Sequence, residues 1–232
     1  MLSEQGKDNE SIDAYQQSIE LNAKDAELCY NLGIKLGSVR RDVKAELDMY
    51  KRATEIDRSM GGAWINWGTS LAEQGDLDGA EQKFKSALEH DPRVAIKALM
   101  NLSLVSQARA NQCAVVLGDM DGAKSNAEAA GLHLDAAKYL IDQLTAKDKE
   151  DPDMIANIKQ YTPLRLGAHK MLGQVLAGMG DMTGCESEFR LATKNFETHP
   201  GAWEMLSLVL QRLGKVDEAK EIQKKVEILK AL

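Results

Sequence analysis

The chain is 232 residues long, 44% hydrophobic and 28% charged, with 36 acidic against 29 basic side chains and a formal charge of −7. That balance argues against a disordered chain and against a nucleic-acid-binding surface, whose phosphate contacts need an excess of Lys and Arg. Only 4 prolines and 5% aromatics stand beside abundant Ala, Leu, Glu and Lys, a composition of good helix formers. No stretch approaches 18 apolar residues, and Met1 to Glu10 is polar and acidic without the apolar core of a signal peptide. Three cysteines, Cys29, Cys113 and Cys185, are far apart and odd in number, so no disulfide framework is expected and a reducing, cytoplasmic setting is. Cys113 and Cys185 read as small core residues.

In chain order, Ser11, Tyr15 and Ser18 read as one helix face after a Gln5-Gly6 turn, leaving four residues for a helix before it. Cys29, Leu32, Gly33 and Leu36 then fall on one helix, and Tyr50 and Ala53 on the next, with one residue extra in the turn between them. Residues 61–94 show the pattern most fully. Trp64, Trp67, Gly68 and Leu71 share a face, Gly75-Asp76 breaks the helix, Ala80, Phe84 and Ala87 form the inner face of a second, and Pro92 stops it. The middle departs from this spacing. Leu99, Leu102 and Ser103 open a helix whose turn, Gly118 to Gly122, arrives 8 residues late. Eight residues add about 12 Å to the helix, and Ala123, Ala127, Ala130, Ala137, Leu140 and Leu144 bring the next one back. The spacing predicts a long hairpin at 96–117 and 121–146, then a charged loop from Lys147 to Asp153. A short helix is expected from Pro152 to Tyr161 and a fresh start at Thr162-Pro163. A competing reading is two degenerate repeats, 95–130 and 131–165. The earlier pattern then returns: His169, Leu172, Gly173, Leu176, Gly180, Cys185, Phe189 and Ala192 in 166–199, and Trp203, Leu206, Ser207, Leu210, Gly214, Ala219 and Val226 in 200–232.

Residues 61–94 match all eight signature positions of a 34-residue pattern, which resembles the tetratricopeptide repeat (TPR). The resemblance implies an all-α, right-handed superhelical solenoid of antiparallel helix pairs, here with an extended helical hairpin in the middle. Three stretches follow: TPR repeats over 1–94 with an incomplete first repeat, an irregular hairpin and extra helix over 95–165, and TPR repeats over 166–232. An incomplete first repeat and a last helix running to Leu232 without a polar cap suggest a piece of a longer protein, or ends covered by a partner or by self-association.

In this family the first helix of each repeat lines the concave surface. Asn31, Asn66 and Asn101 recur there at intervals of 35 residues. Carboxamides offer a donor and an acceptor, as a peptide unit does, and the row is similar to the asparagine ladder of O-linked N-acetylglucosamine transferase. The alternative is that asparagine is common at this repeat position, solvated or bonded to a neighbouring repeat. Tyr30, Ile65, Thr69, Lys97 and Met100 surround the row. A secondary groove would carry Lys170, Met171, Glu204 and Met205. The carboxylate clamp of heat-shock chaperone co-factors is matched only at Asn66 and Lys97; Tyr30 and Ile34 stand where that motif has Lys and Asn, and Asn101 where it has Arg. Four scattered histidines, His90, His133, His169 and His199, show no metal-ligand spacing, and Asp119 and Asp121 lack the rest of a calcium loop. No phosphate loop or nucleophile elbow occurs, so no catalytic residue, metal or cofactor is expected.

The reading is a scaffold or adaptor that binds a peptide or helix of a partner protein, without nucleic acid or membrane insertion. The alternatives are a structural subunit of a larger assembly, or a regulatory TPR segment of a multidomain enzyme.

Overall fold

The computed structural model describes residues 2–145 and 148–231, without the side chains of residues 2–7 and 149. The expected helix ends at 146 and at Leu232, and the loop start at Lys147, lie outside the described residues. The chain is 87% helical, with no strand among the described residues. The described residues form eleven α-helices, α1 (Leu2–Leu21), α2 (Ala26–Lys35), α3 (Val43–Ile56), α4 (Gly61–Glu73), α5 (Leu77–His90), α6 (Ala95–Asn111), α7 (Met120–Gln143), α8 (Pro152–Gly178), α9 (Met182–Asn195), α10 (Pro200–Arg212) and α11 (Val216–Ala231). None of the described helices is long and apolar enough to cross a membrane. Two compact units form, Met1–Asn101 and Leu102–Leu232.

Within the first unit, α2 pairs with α3 and α4 with α5. Ile12, Ile19, Cys29, Leu32, Leu36, Ala53 and Ala63 form one core cluster, and Ala80, Phe84 and Ala87 are buried beneath α4. The helices of each pair approach closely because the first contributes a glycine where the second contributes an aromatic ring. A Cβ on Gly33 would lie 2.7 Å from the Tyr50 ring, and one on Gly68 2.6 Å from Phe84. The second unit repeats the device: a Cβ on Gly173 would stand 2.3 Å from Phe189. Around that contact Leu176, Cys185, Phe189, Leu206, Val209, Leu210, Ala219 and Ile222 pack into one cluster joining α8 to α11.

The turns explain the two places where the repeat spacing slips. In the regular turns Gly75, Gly180 and Gly214 take φ of 84°, 83° and 75°, values that cost a glycine little. The next residue then donates its N–H five positions back: Asp76 to Leu71, Asp181 to Leu176, Lys215 to Leu210. Asp76 and Asp181 cap the following helix by accepting from the N–H of Gly79 and Gly184. In the two long turns the preceding helix widens to π geometry, over Leu36–Arg40 and Gln112–Leu117. The left-handed residue is Arg41 (φ 53°) or Gly118 (φ 68°), and the closing bond reaches six positions back, Asp42 to Leu36 and Asp119 to Cys113. A single π turn thus absorbs the one extra residue of the first slip and one of the eight in the second, the other seven lengthening the helix by about two turns. The predicted hairpin is present, with helix from Ala95 to Leu117 and again from Met120. Two degenerate repeats would need a break near 130–131, where α7 continues unbroken.

Two expectations are corrected. Gln5-Gly6 is not a turn, since α1 is helical from Leu2. A glycine inside a helix costs only about 1 kcal/mol against alanine, a penalty small enough for the helix to run through Gly6. No helix starts at Thr162-Pro163 either, because α8 runs through Pro163. Pro163 sits on the exposed side with Lys159 and Gln160, where water can satisfy the carbonyl it deprives of a partner. Tyr161, Arg165, Leu166, Ala168 and His169 on the buried side hold both halves in one rod. Cys113 also departs from its assignment: Cys29 and Cys185 are buried, but Cys113 is half-exposed in the π turn, with the Asn126 amide 3.9 Å from its sulfur.

Candidate functional site

The row of asparagines lies on α2, α4 and the start of α6, and its three members differ in state. Asn66 is engaged: its Nδ2 donates to the Tyr30 hydroxyl at 3.3 Å, across two repeats. The Tyr30 ring packs on Tyr50, centroids 6.1 Å apart. Burial pushes the Tyr50 phenol far above its ordinary value, Glu46 pushes it further, and a hydrogen bond from Asn66 works against both. Ser70 Oγ donates to Glu46 Oε1 at 2.6 Å, so a polar network joins Tyr30, Tyr50, Asn66, Glu46 and Ser70. Asn31 and Asn101 are half-buried, and among the described residues neither carboxamide has a protein partner. The flanking residues divide likewise. Lys97 is exposed and Tyr30 and Thr69 half-exposed, with the Thr69 hydroxyl donating to the Ile65 carbonyl of its own helix. Ile65 and Met100, expected to line the groove, are core side chains at 1% and 2% exposure. Their helix face turns inward at those positions, so they support the wall rather than offer surface. Glu46 and Tyr50 were missed by sequence reasoning because they stand on α3, behind the first helices. The Gly33 contact that marks Tyr50 as core was their only sequence signal.

In the second unit a trough of about 400 Å³ opens between α8 and α10, floored by α9. The α8 wall is Lys170, Gly173, Gln174, Ala177 and Gly178, the α10 wall Met205, Leu208, Val209 and Arg212, and the floor Cys185 and Phe189. Of the four residues expected there, Lys170 and Met205 line it. Met171 does not, and Glu204 is tied to Lys230 on α11. Gln174, Leu208 and Arg212 were missed, although they continue the i, i+3, i+4, i+7 stripes that start at Lys170 and Met205.

A separate cavity of about 360 Å³ lies among α7, α8 and α9. Its polar wall is self-satisfied: His169 Nδ1 meets Glu188 Oε1 at 2.5 Å, and Arg165 donates to the Gly131 carbonyl and pairs with Asp135, both at 2.8 Å. These are ties between helices. No group of three His, Cys, Asp or Glu side chains able to hold a metal occurs among the described residues.

Antiparallel helix pairs with a recurring glycine–aromatic lock define a helical-repeat scaffold. Family profiles described as TPR repeat and tetratricopeptide repeat match residues 1–36, 61–94 and 200–227. The chain is a tetratricopeptide-repeat protein, a family that builds protein-interaction scaffolds. Over 87 residues, 38% of this chain, it is 32% identical to BBSome complex member BBS4 of Xenopus tropicalis. That stretch is 16% of the relative, so the chain spans only a small fraction of the curated relatives it matches. Among solved structures it is similar to YrrB, titled a TPR protein with an unusual peptide-binding site, at 19% identity and a TM-score of 0.50, covering 94% of this chain and 93% of that one. It is also similar to the C-terminal part of a TPR repeat-containing protein from Cytophaga hutchinsonii, at 11% identity and a TM-score of 0.59, covering 97% and 75%. These two likenesses concern the fold.

Proposed function

We propose that the chain is a non-catalytic adaptor that holds an extended segment of a partner protein against α2, α4 and the start of α6. The observation that carries this is the pair of unpartnered carboxamides, Asn31 and Asn101, on either side of Asn66, which the Tyr30–Tyr50 network holds in place. An extended peptide presents alternating N–H and C=O groups, and a carboxamide can meet one of each. Tyr30, Thr69 and Lys97 supply the remaining exposed surface. A cytoplasmic setting is part of the proposal and rests on the unpaired cysteines.

The test is affinity capture from a cell extract with the wild-type chain and with the Asn31→Ala, Asn66→Ala, Asn101→Ala triple variant, read by mass spectrometry. A partner captured by the first and depleted at least threefold with the second supports the proposal. Equal recovery by two equally folded chains refutes it.

A second reading has one observation in its favour. Val115, Val116 and Leu117, at the tip of the hairpin, are 74%, 72% and 66% exposed. Three successive apolar side chains in water suit a permanent subunit contact in a larger assembly. Under that reading, Val116→Ser releases the chain from its assembly and the asparagine variant does not.

A further inference from the structure

The charged residues lining the trough between α8 and α10 are of one sign. Lys170 and Arg212 border it, no carboxylate among the described residues does, and its other lining residues are apolar, glycine or Gln174. In a chain carrying −7 overall, that is a local reversal. Both cations are exposed, and among the described residues neither has a carboxylate partner. Nearby charges do pair: Glu204 with Lys230, and Glu186 with both Arg190 and Lys215. Lys170 and Arg212 are therefore cations that the neighbouring acids leave unpaired.

Their positions along the trough differ. Short turns join α8 and α10 to α9, and both pack against it, so each runs antiparallel to α9 and the two run parallel to each other. Lys170 begins the α8 stripe and Arg212 ends the α10 stripe. The stripes span seven or eight residues, so the cations stand at opposite ends, about 10–12 Å apart along the helices. Between them Leu208 is 60% exposed, beside Met205 and above Phe189.

We infer that this trough binds a protein segment in which two carboxylates, about four residues apart in extended conformation, flank one bulky apolar side chain. The apolar side chain lies on Leu208, Met205 and Phe189, and the carboxylates reach Lys170 and Arg212, with Gln174 offering a hydrogen bond between. This inference rests on the adaptor reading and adds a second recognition element on a different part of the chain.

The probe is a fluorescein-labelled nonapeptide, Gly-Ser-Glu-Ala-Leu-Ala-Glu-Ser-Gly, with Gln and Lys versions of its two glutamates, titrated by anisotropy against the whole chain. The expected result is at least about tenfold tighter binding of the Glu peptide than of the Gln peptide, with the Lys peptide weakest. In the Lys170→Glu/Arg212→Glu chain the order reverses, the Lys peptide now binding best. Leu208→Ser, which changes no charge, weakens all three peptides. Both cations are surface groups, so the reversed chain is expected to melt with the wild type. If the reversed chain fails to fold, Lys170→Gln/Arg212→Gln takes its place and abolishes the preference for Glu. Equal binding of the three peptides, binding of none, or an unchanged order in the reversed chain overturns the inference. A chain that binds no acidic peptide but still captures a partner through its asparagines overturns it and leaves the adaptor reading standing.

Discussion

The two grooves are built from the same repeat and arrive at opposite chemistry. In the first unit the groove face carries carboxamides and a tyrosine, and a buried polar network ties one repeat to the next behind them. In the second the corresponding face is a trough with an apolar floor and a cation at each end. The glycine–aromatic lock is common to both, at Gly68–Phe84 and Gly173–Phe189. The lock sets how closely two helices pack, while the groove positions carry little of the core and are free to differ. Repeat identity therefore fixes how the helices pack but not the chemistry of these faces.

The largest effects should come from the lock itself. Phe84→Ala and Phe189→Ala each remove a buried ring and are expected to cost about 3–5 kcal/mol in urea unfolding. Equal costs would confirm that the lock serves both units alike, whereas a cost under 1 kcal/mol in one would break the comparison there. Gly173→Ala forces a Cβ against the Phe189 ring and should cost about 1–3 kcal/mol by overpacking, measured the same way.

A buried carboxylate in each unit sharpens the comparison through pH. Burial pushes Asp91 up, but the Arg93 guanidinium and the N–H groups of Arg93 and Gly61 hold its carboxyl below the ordinary value. Hydrogen bonds from Lys215 and Arg190 hold Glu186 below the ordinary 4.5 of a glutamate. A carboxylate depressed in the folded state contributes stability above its unfolded pKa and loses it as pH falls through the folded one. Stability should therefore decline as pH drops below 4.5, and the Asp91→Asn and Glu186→Gln chains should each show a shallower decline. An unchanged slope in either would mean that its ties contribute nothing.

Smaller effects separate the asparagines. Asn66→Ala should lower stability by about 0.5–1.5 kcal/mol through loss of the Tyr30 bond. Asn31→Ala and Asn101→Ala should leave the thermal melt alone and weaken partner binding by a similar amount each, read by calorimetric titration. The smallest change expected is at Arg41, whose left-handed backbone disfavours a side chain. Arg41→Gly should raise stability by up to about 1 kcal/mol, seen as a higher urea midpoint.

Much of this architecture was legible in the sequence because it rests on contacts close along the chain. Trp64, Gly68, Ala80 and Phe84 identify a repeat without help from elsewhere, and the late turn at Gly118 gave the hairpin. Pro163 misled, because a local stop signal is weaker than a continuous buried face through Tyr161, Arg165 and His169. Gly6 misled because a lone glycine costs a helix only about 1 kcal/mol and does not by itself end it. The groove residues were only partly readable. Register placed Asn31, Asn66 and Asn101 on one kind of position, but the Asn66–Tyr30 bond and the burial of Ile65 and Met100 depend on neighbouring repeats. Arg212 and Leu208 carry no signature at a single repeat position and are marked only by the stripe that runs along α10 from Met205.

The most direct test of the adaptor account is a hydrogen-exchange footprint of the captured partner on the whole chain. The account predicts slowed exchange in α2, in α4 and at the start of α6, reduced in the triple asparagine variant. Protection confined to the hairpin tip around Val115, Val116 and Leu117, with α2 and α4 exchanging as in the free chain, would contradict it.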